Sequence, residues 1–350
     1  MVKAINILSI DGGGIRGIIP AMLLAEIEKR TGRSISKLFH LIAGTSTGGV
    51  LTLGLCKPDG KGEPQYSAAE LVGLYEKNGG KIFSRSCWHR VKSLGRWADE
   101  KYLVQGMKET FQEYFGASRL KDALTNVLLT AYEIELRCPF FFRSERAKKD
   151  PAYDFPMVAV AMATSAAPTY FEPCRIMKEE STDYYALIDG GVYANNPAMC
   201  AYAEARWSET DPEDFLLVSI GTGEQKVLLP YDKAKSWGMA QWAKPLMNII
   251  FDGVNDTVDY QLRRLIPPGK DGLCRYYRFQ PEIKDEISLD NASPENIRHL
   301  KEAGRALIRE HHDDLEALCH HLIKHEFVLP KKTMGGSAVV NFISTGGAHE

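Results

Sequence analysis

The sequence lacks the features that would place it directly in several classes of protein. No apolar run approaches the roughly 20 residues that span a bilayer. The seven cysteines form no C-x-x-C pair, and lysine and arginine form no basic run, so a zinc site and binding to a nucleic acid polymer are disfavoured. The apolar stretch at the N-terminus stops at Asp11, which is too early for a signal peptide. We therefore expect a cytoplasmic globular protein with no metal site and no cofactor.

Short apolar segments, each followed by glycines and then by a helical pattern, are the first feature that is present. Residues 5–10 precede Asp11 and three glycines, and residues 38–43 precede the glycine-rich stretch 44–49. Two such units predict a parallel sheet with helices on its faces, an α/β fold. Further strands are predicted at 126–132, 184–188 and 215–220, and further helices at 68–78, 100–114, 157–163, 198–207 and 294–319.

The second glycine-rich turn carries a candidate nucleophile. Residues 44–48 read G-T-S-T-G between a predicted strand and a predicted helix, which is the context of a nucleophile elbow with Ser46 at its apex. The sharp turn exposes the hydroxyl at the edge of the sheet, and the helix that follows directs its positive end towards incoming negative charge. A glycine-rich turn without chemistry is the alternative.

The first turn carries candidate hydrogen-bond donors for an anion. Residues 11–17 read D-G-G-G-I-R-G, and three consecutive glycines at a helix start let backbone amides point at one anionic oxygen, as in the oxyanion hole of an acyl hydrolase. A dinucleotide-binding loop has a similar form. That loop requires an acidic residue at the end of a second strand, and the residues at the right spacing, Glu26 and Glu28, end no predicted strand.

The distribution of histidine bears on which group would deprotonate Ser46. None of the nine histidines lies between His89 and His299, and His40 begins the strand that ends near Ser46, roughly 20 Å away. Asp189 is the better candidate base, because it follows an apolar strand and precedes two glycines. A carboxylate with a pKa of roughly 4 is a weak base unless burial raises that pKa. The alternative is that Asp189 only caps a turn.

Three motifs, in this order, resemble the signature of the patatin-like phospholipases: D-G-G-G-I-R-G at 11–17, G-T-S-T-G-G at 44–49 and D-G-G at 189–191. Residues 163–171, 193–198 and 219–223 are similar to that family as well, and the resemblance extends over residues 5–325. It implies a three-layer α/β fold with a central, mostly parallel sheet flanked by helices. On this basis residues 1–330 form one phospholipase domain, with its signature core at 5–200, a C-terminal helical part at 230–330 and a tail at 331–350.

The resemblance also implies roles for individual residues. Ser46 matches the nucleophile and Asp189 the base of a dyad that contains no histidine. The oxyanion loop matches Gly12, Gly13, Gly14 and Arg16. Arg16 orients this loop or attracts a phosphate headgroup, and a purely structural salt bridge is equally open. The implied activity is hydrolysis of fatty-acyl esters of membrane phospholipids through an acyl-enzyme on Ser46.

Residues 236–254 are a candidate membrane contact. They contain Trp237, Trp242, Leu246 and Ile249 and are broken by Pro245, and an interfacial or lid helix and an amphipathic core helix are both compatible with this pattern. Small bacterial members of the family include anti-phage effectors that a cyclic nucleotide switches on, and this chain resembles them in size and in lacking a signal peptide. The resemblance therefore implies a cyclic nucleotide activator and action at the inner face of the membrane. A homo-oligomer is left open.

Other functions are also left open by the sequence. A broader esterase or non-specific lipid acyl hydrolase would use the same residues. A catalytically silent storage or binding protein is disfavoured, because it has no chemical need for Ser46, Asp189 and the glycine loop together. A nucleotide-dependent oxidoreductase ranks last, because the acidic residue that it requires is missing.

Overall fold

The computed structural model of the chain describes residues 5–83, 96–178, 182–208, 215–225, 228–269, 272–283 and 290–324. Within these residues eight strands form one sheet. The strands are β1 (Ile5–Ile10), β2 (Leu41–Thr45), β3 (Asn126–Glu133), β4 (Cys138–Arg143), β5 (Cys174–Met177), β6 (Tyr184–Asp189), β7 (Phe215–Ile220) and β8 (Tyr276–Phe279). The α-helices are α1 (Ile18–Thr31), α2 (Thr47–Cys56), α3 (Ala68–Phe83), α4 (Arg96–Phe115), α5 (Ser144–Lys149), α6 (Met157–Thr164), α7 (Gly191–Ala194), α8 (Ala198–Ser208), α9 (Tyr231–Ala234), α10 (Met239–Leu265), α11 (Pro294–Glu310) and α12 (His312–Lys324).

The middle of the sheet is parallel. Five strands in the order β3, β2, β1, β7, β8 pair in parallel. β4 and β6 pair with β3 in the antiparallel direction, and β5 pairs with β6 in the same way. Because the parallel strands point the same way, their carboxyl ends lie along one edge of the sheet. The predicted α/β fold with a mostly parallel central sheet is confirmed.

The sheet is covered on both faces, because its strands alternate their side chains between two apolar layers. On β1, Ile7 packs with residues of α8 and α10, whereas Leu8 and Ile10 pack on the other side with residues of α1, α2 and α3. This alternation is the period of two expected of a strand that is buried on both faces. None of the helices in the described part of the chain is long and apolar enough to cross a membrane.

Some boundaries differ from the prediction. β2 begins at Leu41 rather than at residue 38, because residues 35–37 form a 3-10 turn that Leu38 closes. The single helix predicted at 294–319 is wrong: it is two helices, and the backbone of His311 leaves helical geometry between them, with φ −102° and ψ 29°. β5 and β8, of four residues each, were not predicted. The predicted tail at 331–350 lies outside the described residues.

Candidate active site

The carboxyl ends of β2 and β6 lie next to each other along β3, and this places Ser46 close to Asp189. β2 pairs with the first part of β3 up to the pair Thr45–Thr130, and β6 pairs with the second part down to the pair Asp189–Ala131. β4 pairs with one edge of β3 from Leu128 to Glu133, so β2 and β6 share the other edge. Because β6 runs antiparallel to β3, its carboxyl end approaches the carboxyl end of β2.

Ser46 occupies a strained turn between β2 and α2. Its φ of 54° and ψ of −122° are values that L side chains rarely adopt. A Cβ at Gly44 would overlap the backbone of Gly48, and a Cβ at Gly48 would overlap the carbonyl of Ile10, so the turn needs both glycines. The Ser46 amide donates a hydrogen bond to the hydroxyl of Thr164 at 3.0 Å, which fixes the turn against α6.

Asp189 is buried at the end of β6, with 5% of its surface exposed. Burial raises the pKa of its carboxyl to about 6, and hydrogen bonds from the Ser46 side chain and the Gly191 amide oppose that rise. The Gly191 amide lies 2.8 Å from Oδ1 of Asp189. A carboxylate with this pKa is ionised at neutral pH and is more basic than an exposed aspartate. The site can therefore transfer a proton from the serine hydroxyl to the carboxylate.

Histidine side chains of the described residues lie elsewhere. His40 lies at the opposite end of β2, where its Nδ1 accepts a hydrogen bond from the amide of Asn6 at 3.1 Å. His311 contacts Asp314 on α12, 3.0 Å from Nδ1 to Oδ2. In the described part of the chain, the groups that hydrogen-bond to the Asp189 carboxylate are a hydroxyl and an amide, not an imidazole.

The glycine loop after β1 lies beside the elbow. A Cβ built on Gly12 would lie 3.3 Å from the Cβ of Ser46. The Gly12 amide, which we predicted as an oxyanion donor, is already engaged, because it donates to the carbonyl of Asn195 at 3.0 Å. The amides of Gly13 and Gly14 have no acceptor among the described residues, and they lie at the start of the 3-10 turn Gly14–Gly17 that leads into α1. Two amides therefore remain for an anionic oxygen.

Arg16 lies at the end of this loop, and its cation is partly withdrawn from water. Its Nη1 donates to the carbonyl of Gly223 at 3.2 Å, and its Nε is buried with no acceptor in the described residues. Burial lowers the pKa of Arg16 to about 10, while the nearby Asp252 and Tyr170 oppose that fall. The side chain therefore remains a cation at neutral pH. Its Nη1 hydrogen bond goes to a carbonyl, and the charge of Asp252 favours the cation without an ion pair among the described residues.

Sequence reasoning missed Arg278, on β8. Its guanidinium donates to both oxygens of the Asp11 carboxylate, from Nη1 at 3.1 Å and from Nη2 at 2.7 Å, and to the hydroxyl of Ser219 at 2.8 Å. Both charged side chains are buried. Burial raises the pKa of Asp11, and the hydrogen bonds from Arg278 oppose that rise. A single arginine in an otherwise aromatic strand was the available signal, since a buried arginine requires an acidic partner.

Helix α10 lies next to the catalytic loop. A Cβ built on Gly191 would lie 3.2 Å from the ring of Phe251, and Oδ1 of Asn255 accepts a hydrogen bond from Nδ2 of Asn195 at 3.1 Å. The helix continues through Pro245. Buried apolar side chains of its C-terminal half join the core. Its N-terminal half has exposed apolar side chains, with Met239 91% exposed, Leu246 47% and Ile249 42%, and Leu265 at its end is 53% exposed.

Comparisons with known proteins agree with this arrangement of motifs. A family model described as "Patatin-like phospholipase" matches residues 8–202. The chain is 32% identical over 334 residues to Patatin-like protein 4 of Arabidopsis thaliana, covering 87% of this chain and 83% of that protein. It is 31% identical over 334 residues to Probable inactive patatin-3-Kuras 1 of Solanum tuberosum, covering 88% and 87%. The crystal structure of VipD from Legionella pneumophila has a TM-score of 0.39 at 14% identity, covering 89% of this chain and 67% of that one.

Proposed function

Since the chain belongs to the patatin-like phospholipase family, we propose that it hydrolyses fatty-acyl esters of membrane phospholipids with Ser46 as nucleophile and Asp189 as base. One observation carries this proposal: the carboxylate of Asp189 is buried, its pKa is raised to about 6, and the side chain of the strained Ser46 is close enough to oppose that rise. A relative named as probably inactive belongs to the same family, so membership alone does not establish activity.

The first stage of the reaction transfers the acyl group to the serine. The hydroxyl proton of Ser46 moves to the carboxylate of Asp189 as the serine oxygen attacks the ester carbonyl. The carbonyl oxygen becomes an oxyanion, which accepts hydrogen bonds from the amides of Gly13 and Gly14. The C–O bond to the alcohol then breaks, the alcohol oxygen takes the proton from Asp189, and the lysophospholipid leaves.

The second stage releases the fatty acid. Water attacks the acyl-serine ester while Asp189 accepts one of its protons, and the same two amides hold the second oxyanion. The bond to the serine oxygen breaks, and Ser46 regains its proton from Asp189. The cation of Arg16 lies beside the glycine loop, where it favours a substrate that carries a phosphate.

The exposed N-terminal half of α10 supplies the membrane contact in this proposal. Leu246 and Ile249 are exposed apolar side chains on the helix whose Phe251 reaches the catalytic loop. Trp237 and Trp242, at the N-terminal end of this segment, pack edge to face with their ring centroids 5.2 Å apart. Tryptophans and exposed aliphatic side chains on a helix of this kind favour the interface between headgroups and acyl chains. Docking there would bring an ester bond to the site from the lipid side.

We extend the proposal with four further properties that the resemblance implies. These are a bacterial effector of anti-phage defence, activation by a cyclic nucleotide, a cytoplasmic location with action at the inner membrane face, and a homo-oligomer. Titration calorimetry of the full chain with cyclic di- and trinucleotides tests the activator directly. Heat of binding together with faster phospholipid hydrolysis supports it, and a flat titration across the panel overturns it.

Lipid product analysis tests the proposed activity. Wild-type protein is incubated with phospholipid vesicles, and free fatty acid and lysophospholipid are measured against Ser46→Ala. We expect both products from the wild type and neither from the variant. Equal release by the two proteins would refute the assignment of Ser46, and hydrolysis of only short soluble esters would favour the broader esterase. No turnover of either substrate by folded wild type would favour the silent scaffold.

A further inference from the structure

The Thr222 side chain contacts the glycine loop directly, and no step of the mechanism above uses it. Thr222 follows β7 in the sequence S-I-G-T-G at 219–223, and 3% of its surface is exposed. Its hydroxyl donates a hydrogen bond to the carbonyl of Gly12 at 2.7 Å. That carbonyl belongs to the same peptide group as the amide of Gly13, so Thr222 holds the group that contains a proposed oxyanion donor.

Because the peptide group is planar, this hydrogen bond also fixes the direction in which the Gly13 N–H points. In a trans peptide the N–H points opposite to the C=O, so the Gly13 amide points away from Thr222. Gly13 packs so closely on Thr222 that a Cβ at position 13 would overlap it. Besides Thr222, the Gly12 carbonyl accepts only a long hydrogen bond among the described residues, from Nδ2 of Asn195 at 3.5 Å, so rotating the peptide would leave it without a good donor. A buried carbonyl without a good donor is unfavourable, and this resists rotation.

The residues on either side of this peptide are also fixed. The Asp11 amide donates to the carbonyl of Ile220 at 3.0 Å, and the Asp11 carboxylate is held by Arg278. The Gly12 amide donates to the carbonyl of Asn195. The backbone up to Gly12 is therefore held in one orientation. The Thr222 hydroxyl then fixes the peptide group between Gly12 and Gly13.

We propose that Thr222 is a positioning residue, which aims the Gly13 amide at the oxyanion formed when Ser46 attacks the ester. This inference rests on the proposed function. Because the amide is needed more in the transition state than in the ground state, loss of the hydroxyl lowers kcat and leaves KM nearly unchanged. A residue that only filled space would change stability and leave kcat in place.

The test compares three variants on a soluble ester, so that membrane binding does not enter the rates. Thr222→Val keeps the shape and removes the hydroxyl, and we expect kcat to fall by about tenfold to a hundredfold with KM within about twofold. Thr222→Ser keeps the hydroxyl, and we expect kcat within about threefold of the wild type. Thr125→Val is the matched control, because the buried hydroxyl of Thr125 donates to the carbonyl of Phe39 at 2.8 Å, at the start of β3.

The outcomes separate this inference from the proposed function. A low kcat for Thr222→Val together with normal values for Thr222→Ser and Thr125→Val supports it. A folded Thr222→Val with wild-type kcat, or with a changed KM alone, overturns it. If Thr222→Val does not fold, Thr222→Ala measured at low temperature replaces it with the same expectations. Wild-type rates in Ser46→Ala would instead refute the proposed function, whatever the Thr222 variants show.

Discussion

Ser46 and Asp189 lie at the carboxyl ends of two strands that approach each other along one edge of β3, where Thr45 pairs with Thr130 and Asp189 pairs with Ala131. Consecutive residues of one strand therefore set the spacing between the proposed nucleophile and base. Loops are more mobile than the elements that they connect, so placing both groups at strand ends fixes their geometry more firmly. A reaction that depends on proton transfer between these groups benefits from that rigidity.

The pH dependence of activity follows from the pKa of Asp189. Only the ionised carboxylate can accept the serine proton, and burial raises its pKa to about 6. We expect kcat/KM on a soluble ester to rise with pH, to reach half its maximum near pH 6 and to level off above it. Circular dichroism at each pH serves as the control for folding. A rate that does not change across this range would contradict the assignment of Asp189 as base.

The same shift in pKa predicts that Asp189 destabilises the fold. The carboxyl has a pKa of 3.8 when unfolded and about 6 when folded, so the folded state binds the proton more tightly. At pH values above both pKa values, the charged carboxylate destabilises the folded state. Below pH 3.8 the carboxyl is protonated in both states, and this destabilisation is absent. We expect Asp189→Asn to increase the free energy of unfolding by up to about 3 kcal/mol at neutral pH, with a smaller gain as the pH falls. Urea unfolding at several pH values measures it.

Asp154 provides a control, because its carboxylate is expected to stabilise the fold at neutral pH. It is also buried, and although burial alone would raise its pKa, hydrogen bonds from the Lys121 amide and the Arg119 guanidinium lower it. Its stabilising contribution is present above the unfolded pKa and is lost as the pH falls through the folded pKa. Asp154→Asn should therefore reduce stability at neutral pH. If the two variants changed stability in the same direction, the account of Asp189 burial would be wrong.

The strain at Ser46 predicts a difference between two inactive variants. At φ 54° a side chain is unfavourable, whereas glycine adopts such values readily. We expect Ser46→Gly to be more stable than Ser46→Ala by about 1 kcal/mol, because only glycine relieves the strain. Both variants should lack activity. Thermal and urea unfolding of the pair measures the difference, and an equally stable or less stable Ser46→Gly would argue against a strained elbow.

Membrane docking by α10 is tested with a matched pair of substitutions. Ile249 on α10 is 42% exposed and Ile323 on α12 is 41% exposed, so each can be changed to aspartate at a similar level of burial. We expect Ile249→Asp to reduce hydrolysis of vesicle phospholipid about tenfold and to leave hydrolysis of a soluble ester unchanged. Ile323→Asp should change neither. Equal losses in both variants would remove α10 from the proposed interface.

Local sequence predicted the residues of the candidate site better than it predicted the support around them. Ser46 and Asp189 stand in short motifs directly after apolar strands, so their positions at strand ends follow from neighbouring residues. The contacts of Arg278 with Asp11, and of Thr222 with Gly12, join segments that are distant in the sequence. They depend on β1, β7 and β8 lying side by side, an order that no local pattern encodes.

The engaged amide of Gly12 illustrates the same limit. The sequence D-G-G-G indicates that backbone amides are concentrated at one turn, but not which of them points to the reacting oxygen. That selection depends on the Asn195 carbonyl, which belongs to a turn more than one hundred and eighty residues later. The predicted break at Pro245 was wrong, because α10 continues through this proline, which removes only one backbone hydrogen bond of the helix.

Labelling with a fluorophosphonate probe tests the central claim most directly, because the probe reacts only with a serine that is activated as a nucleophile. Wild type, Ser46→Ala and Asp189→Asn are treated under the same conditions, and the labelled peptide is identified by mass spectrometry. The account predicts a label on Ser46 in the wild type, no label in Ser46→Ala and much slower labelling of the folded Asp189→Asn variant. A label on another serine, or an equal rate in Asp189→Asn, would contradict it.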